Sequence, residues 1–154
     1  MSTVSNPSST EPVRTSTDDH GGSRATLHIA RRLAVGIGLA AIAAIHILDL
    51  PGKFAETRYI AYMYLAVIVV SIVLLERLLV VGSRRDFLLS AVLAAVVIVG
   101  FVVNRTTGMP GATGDIGNWF EPLGLLSLAV ELFVVWQSLS AYAGLRADKA
   151  NRSR

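Results

Sequence analysis

The sequence predicts an all-α integral membrane protein, four transmembrane helices running up and down as a bundle, and two observations carry that reading. Of the 154 residues 53% are hydrophobic and 16% charged, with a mean hydropathy of +0.56, which is more apolar than an ordinary soluble domain. The apolar residues are also gathered rather than dispersed. They form four blocks, at about residues 33–50, 59–80, 87–103 and 121–142, each long enough to cross a hydrocarbon core of roughly 30 Å. The chain has no cysteine, which excludes disulfides, thiolate zinc sites, iron–sulfur clusters and cysteine nucleophiles.

Residues 1–30 hold eleven Ser or Thr, two Pro and no apolar run, too little buriable surface to offset the entropy of ordering, so a disordered tail is expected there. The tail is too long and polar for the basic start of a signal peptide, and the first span is expected to stay attached. The helical domain is expected over residues 31–143 and a basic tail over 144–154. Span one carries His46 and Asp49 near its far end and is expected to stop at Pro51-Gly52. Gly36, Ala40 and Ala44 stand four apart and predict a face of close helix approach.

Span two is uncharged as far as Leu75 and then meets Glu76-Arg77, whose side chains can reach the headgroups. Span three holds no ionisable residue, and span four holds one carboxylate, Glu131, about halfway down. Asn118 and Glu121 fit an N-cap with an acid at the third helical position of span four. In the connection before it, Gly108, Pro110, Gly111, Gly114 and Gly117 predict turns. Met109, Ile116, Trp119 and Phe120 predict that part of this loop folds back on the membrane, either to cap a pocket or bind a partner, or merely as a flexible connector.

Eleven of the fourteen Lys and Arg lie in the two tails and around the connection between spans two and three; Lys53, Arg58 and Arg105 lie in the other two loops. By the positive-inside rule both termini are expected to be cytoplasmic, in the inner membrane of a bacterium, with the 51–58 and 104–120 loops outward. Phe54, Tyr59, Tyr62, Trp119 and Phe120 then fall at the outer boundary, and Phe87, Trp136 and Tyr142 toward the inner one. The net charge of +3 follows from this topology, and without a basic face interleaved with aromatics nucleic acid is not an expected partner.

Glu131 is the first candidate for function, because an acid near the bilayer centre costs roughly 2.5–3.5 kcal/mol even on permissive insertion scales. It reads either as a proton or cation site facing the bundle interior or as a neutral acid that hydrogen-bonds Ser127 or a neighbouring helix and serves packing. His46 and Asp49 are three apart and share a helix face. With Glu121, and Asp115 in the adjoining loop, they form a candidate ligand or divalent-metal site. The bland alternatives are an Asp49–Lys53 pair, a capping role for Glu121, and a His46 ring bonded to a backbone carbonyl or to Asp49. By depth, His46, Asp49 and Glu121 lie near the outer surface while Glu131 lies about 15 Å below Glu121, so one site holding all four needs a tilted or kinked helix.

Haem is not expected, since His46 is the only histidine within a span. No nucleophile elbow, Walker A loop or dinucleotide fingerprint occurs, so neither hydrolysis nor nucleotide use is expected and the chain reads as a non-enzyme. The segments HILDLPGKFAETRYIAYMY and GMPGATGDIGNWFEPLGLLSLAVE, which begin at His46 and Gly108, resemble a group of small four-span membrane proteins found widely in actinobacteria. The resemblance implies four spans and no particular activity or catalytic residue. The expected function is an outward polar pocket for a cation, proton or small ligand. The alternatives are an accessory subunit that pairs with another membrane protein or itself, and a small proton-coupled transporter. The last fits poorly with the small multidrug resistance type, whose membrane acid lies in the first helix and whose loop charges are nearly balanced.

Overall fold

The computed structural model describes residues 18–153. Four helices account for nearly all of them: α1 (Asp18–Glu56), α2 (Arg58–Val80), α3 (Arg84–Thr106) and α4 (Pro122–Arg152). All four are long and apolar enough to cross a membrane, and they pack as an up-down bundle. The chain is therefore an integral multi-pass membrane protein. Its outward faces carry large apolar side chains that water would not tolerate, among them Ile37 and Leu48 at 71% exposure and Val80 at 75%. In lipid such faces are solvated by acyl chains, and only the backbone and polar groups must be satisfied internally.

The helices overrun their expected limits, each for a local reason. Of the expected disordered tail, residues 1–17 lie outside the described residues, while 18–30 form the first turns of α1. Beyond Pro51 the helix runs on to Glu56. Proline forfeits one backbone hydrogen bond there, but the ladder resumes, with Thr57 N donating to Lys53 O at 2.8 Å. A single extended residue, Thr57, then turns the chain into α2. At the other end of the chain α4 absorbs most of the expected basic tail, since Ala, Leu, Lys and Arg are good helix formers; Arg154 lies outside the described residues.

Two antiparallel hairpins, α1–α2 and α3–α4, build the bundle. They meet mainly where α1 lies against α4 and less where α2 lies against α3, while α1 and α3 barely touch. The core is Val35, Leu39 and Ile42 of α1, Leu74 and Leu78 of α2, Phe87 and Ala94 of α3, and Val134 and Ala141 of α4. The expected small-residue face on α1 does not form as drawn: Gly36 is buried toward Leu75 of α2, whereas Ala40 and Ala44 are exposed. Steps of four residues drift around a helix of 3.6 residues per turn, and the drift carries both alanines onto the lipid side. Gly38 makes the close approach instead, because a Cβ there would overlap Val134 of α4.

The start of α1, the end of α4 and the α2–α3 turn share one end of the bundle, here the terminal end. Arg32 donates from Nε to Leu78 O at 3.0 Å and from Nη2 to Leu79 O at 2.6 Å, so it satisfies carbonyls that the end of α2 leaves unbonded. Ser83 and Asp86 form a capping box at the start of α3, and Arg77 Nε reaches Asp86 at 2.9 Å. Arg84 lies over the Tyr142 ring, 4.8 Å from its centre. The opposite end, the loop end, holds the α1–α2 turn and the long α3–α4 connection.

Candidate functional site

Local sequence fixes the loop end first. Pro122 cannot donate a backbone hydrogen bond and suits the first helical position, and it forces the residue before it to be extended. Glu121, at φ −66° and ψ 122°, is therefore the N-cap of α4 rather than the third helical residue that Asn118 would have required, and its carboxylate accepts from Gly124 N at 3.2 Å. The same oxygen accepts from Arg105 Nη2 at 2.7 Å.

The loop preceding α4 is anchored to three helices. Gly108, Gly111 and Gly117 adopt φ of +72°, +72° and +78°, a region that glycine enters without penalty, and Gly117 N donates to Arg105 O at 2.9 Å. Asp115 collects three cross-links: Lys53 Nζ of α1 at 3.3 Å, and Asn104 Nδ2 and Arg105 Nη1 of α3 at 3.0 and 2.9 Å. Tyr59 of α2 donates to Pro110 O at 2.8 Å. Partial burial works against a charged Asp115, but the Asn104 amide and the two cations outweigh it and hold its carboxyl below the usual carboxylate range.

Beneath the loop lies a cavity of about 350 Å³ to which all four helices contribute. It is polar toward the loop and otherwise largely walled by hydrocarbon, with Ile60, Val67, Val96 and Val97 in its lining. His46 is buried, its Nδ1 2.9 Å from Ile42 O. A carbonyl only accepts, so Nδ1 carries a proton, and in the neutral ring Nε2 is left as an acceptor. The His46 ring stacks at a tilt on Tyr64, 4.8 Å between centres, and Tyr64 donates to Asp49 Oδ2 at 3.0 Å. Glu131 is fully buried; Ser127 donates to its Oε1, while Oε2 has no hydrogen-bond partner among the described residues.

The four candidates from the sequence, His46, Asp49, Glu121 and Glu131, thus all line one cavity. They do not form a ligand cluster: no group of three or more His, Asp or Glu is arranged to hold a metal ion among the described residues. His46 faces a carbonyl, Asp49 takes a phenol and Glu121 takes a guanidinium. The anticipated Asp49–Lys53 pair is absent among the described residues, Lys53 reaching Glu56 and Asp115 instead.

Sequence reasoning missed Arg105, Asn104 and Tyr64. Arg105 is 5% exposed, between Asp115 and Glu121. Its signal was present in the sequence, because an arginine within a turn of a membrane span needs an anionic partner, yet it was counted only as a loop charge. Compared with protein-family models, with curated proteins and with solved structures, the chain matches none. The resemblance to the actinobacterial four-span proteins therefore rests on the two segments alone, and what is established is a four-helix membrane protein.

Proposed function

We propose that this protein binds a small cationic solute or a proton in the cavity at its loop end, with Glu131 as the binding acid. The observation that carries the reading is the Glu131 carboxyl, fully buried and lining the cavity with one oxygen unpartnered. A carboxyl kept only for packing would be expected to satisfy both oxygens, since an orphaned polar atom in low dielectric is costly. The wider placement that goes with this reading is the cytoplasmic membrane of a bacterium, both termini inside, with the cavity toward the outer face. It is supported by the basic side chains at the terminal end and by the positive-inside rule. An accessory subunit whose Glu131 pairs with a second membrane protein finds less support, because its own chain already buries that acid.

The test is modification of membranes by an apolar carbodiimide, which enters hydrocarbon and takes up a protonated carboxyl across its C=N bond as an O-acylisourea that rearranges to a stable N-acylurea, followed by mass spectrometry. The expected result is one adduct per chain, at Glu131, absent from Glu131→Gln. If Glu131 stays unmodified while exposed Glu56 reacts with a water-soluble carbodiimide, the acid is sealed in packing and the reading fails.

A further inference from the structure

We infer that the cavity's ligand is a monocation with at least one N–H and a hydrocarbon body, a small alkyl- or arylalkylammonium. This rests on Glu131 being the binding acid, and three features narrow that reading to a class. The first is the pairing of charges. Lys53 is matched by Glu56 and Asp115, and Arg105 by Asp115 and Glu121, so each cation lining the cavity already faces two carboxylates; Arg105 keeps only its Nε–H unpartnered, one donor where a carboxylate is held side-on by two. Glu131 and Asp49, by contrast, have no cation partner among the described residues, which makes the cavity an acceptor of positive charge.

The second feature is the number of oxygens. An inorganic cation exchanges its water shell for about six or more oxygen ligands, or retains several waters. Here the side chains mostly offer carbon, and no cluster of three ligating groups occurs among the described residues. An alkylammonium asks for far less: a charge-assisted hydrogen bond to a carboxylate, and apolar walls such as Val67, Val96 and Val97 for its carbon body.

The third feature is the kind of acceptor present. Glu131 Oε2 is directional and unpartnered, and the His46 ring keeps Nε2 outside its bond to Ile42. Both are met by an N–H donor and by no quaternary ammonium. The Tyr64 ring, which also lines the cavity, adds a surface on which a cation can rest.

The experiment is calorimetric titration of the full chain, purified in a non-ionic detergent, with hexylammonium, 1-hexanol, tetraethylammonium and potassium. Hexylammonium should saturate at one per chain. Hexanol and tetraethylammonium, which lack the charge and the N–H respectively, should bind at least about tenfold more weakly. Glu131→Gln should lose at least about tenfold in hexylammonium affinity, whereas Glu76→Gln, on the exposed face of α2, should not. Should Glu131→Gln fail to fold, Val97→Phe fills the cavity and leaves the acid in place, and it too should abolish binding while eluting as a folded protein.

Potassium competing as strongly as hexylammonium would overturn the class and keep the Glu131 reading. Hexanol binding as tightly as hexylammonium, with Glu131→Gln unaffected, would overturn both. No binding of hexylammonium to a chain whose Glu131 reacts with carbodiimide would overturn the ammonium class alone.

Discussion

Arg105 places Nη1 2.9 Å from Asp115 and Nη2 2.7 Å from Glu121 while remaining 5% exposed, so one planar group joins the loop, the end of α3 and the start of α4. Removing it leaves Glu121 without a cation and Asp115 with Lys53 alone, and breaking a buried pair from one side costs about 3–5 kcal/mol. Arg105→Ala should therefore lower the unfolding free energy by roughly that amount, as read by denaturant unfolding in detergent. Arg105→Lys should restore only part of it, because a single ammonium cannot present two parallel donors. Asp115 adds a dependence on acidity. Its folded carboxyl is held below the usual range, so its contribution is fully present above the unfolded value and is lost as pH falls through the lowered folded value. Thermal unfolding scanned downward from neutral pH should show that loss, and Asp115→Asn should flatten it. At this scale Glu131 and His46 were legible, because an ionisable group inside an apolar run is conspicuous by itself. Asn104 and Tyr64 were not, and Arg105 only in that it needed an anion, because their meaning depends on partners 10 to 16 residues away, such as Asp115, Glu121 and Asp49.

Among the helices the decisive positions are those where backbones come together. Gly38 faces Val134 so closely that a Cβ would overlap it, and overpacking of that kind costs about 1–3 kcal/mol. Gly38→Ala should be destabilising by that amount. Gly100→Ala, at a helical position with no neighbour within 4 Å of the added atom, should be neutral or stabilising by up to about 1 kcal/mol. The two variants share a chemistry and differ only in packing, so equal unfolding free energies would contradict the α1–α4 contact. The number and type of helices were readable from hydropathy because the bilayer imposes both. The ends were less readable, since Pro51 ends helices in water more readily than in a membrane protein, and Pro122 displaced the expected cap by three residues. The small-residue face was misjudged because spacing by four identifies a face only over about a turn.

For the molecule as a whole the open variable is which end meets which compartment. The chain has no cysteine, so a single introduced thiol reports on its own. Gly114→Cys lies in the exposed loop with no atom within 4 Å of its new Cβ, and Arg85→Cys lies at the exposed start of α3. In intact cells a membrane-impermeant maleimide should label the first and spare the second, with both labelled after permeabilisation. The reverse pattern would turn the cavity toward the cytoplasm. Bundle architecture was legible at this scale, and a polar pocket was expected; whether its four residues share one space was open. By depth alone His46 and Glu131 are separated along different helices, and only the packing of two hairpins brings them to one space.

The charges that close each end of the bundle also act together. Among the described side chains, Asp49, Glu56, Asp115 and Glu121 outnumber Lys53, Arg58 and Arg105 at the loop end; Arg31, Arg32, Arg77, Arg84, Arg85 and Arg146 outnumber Glu76 and Asp86 at the terminal end. The protein is a permanent electric dipole along its long axis. A transmembrane voltage then favours one insertion over its inverse, drawing the basic end to the negative side. In that insertion the field in the bilayer would pull the proposed positive solute inward from the acid-rich mouth toward Glu131.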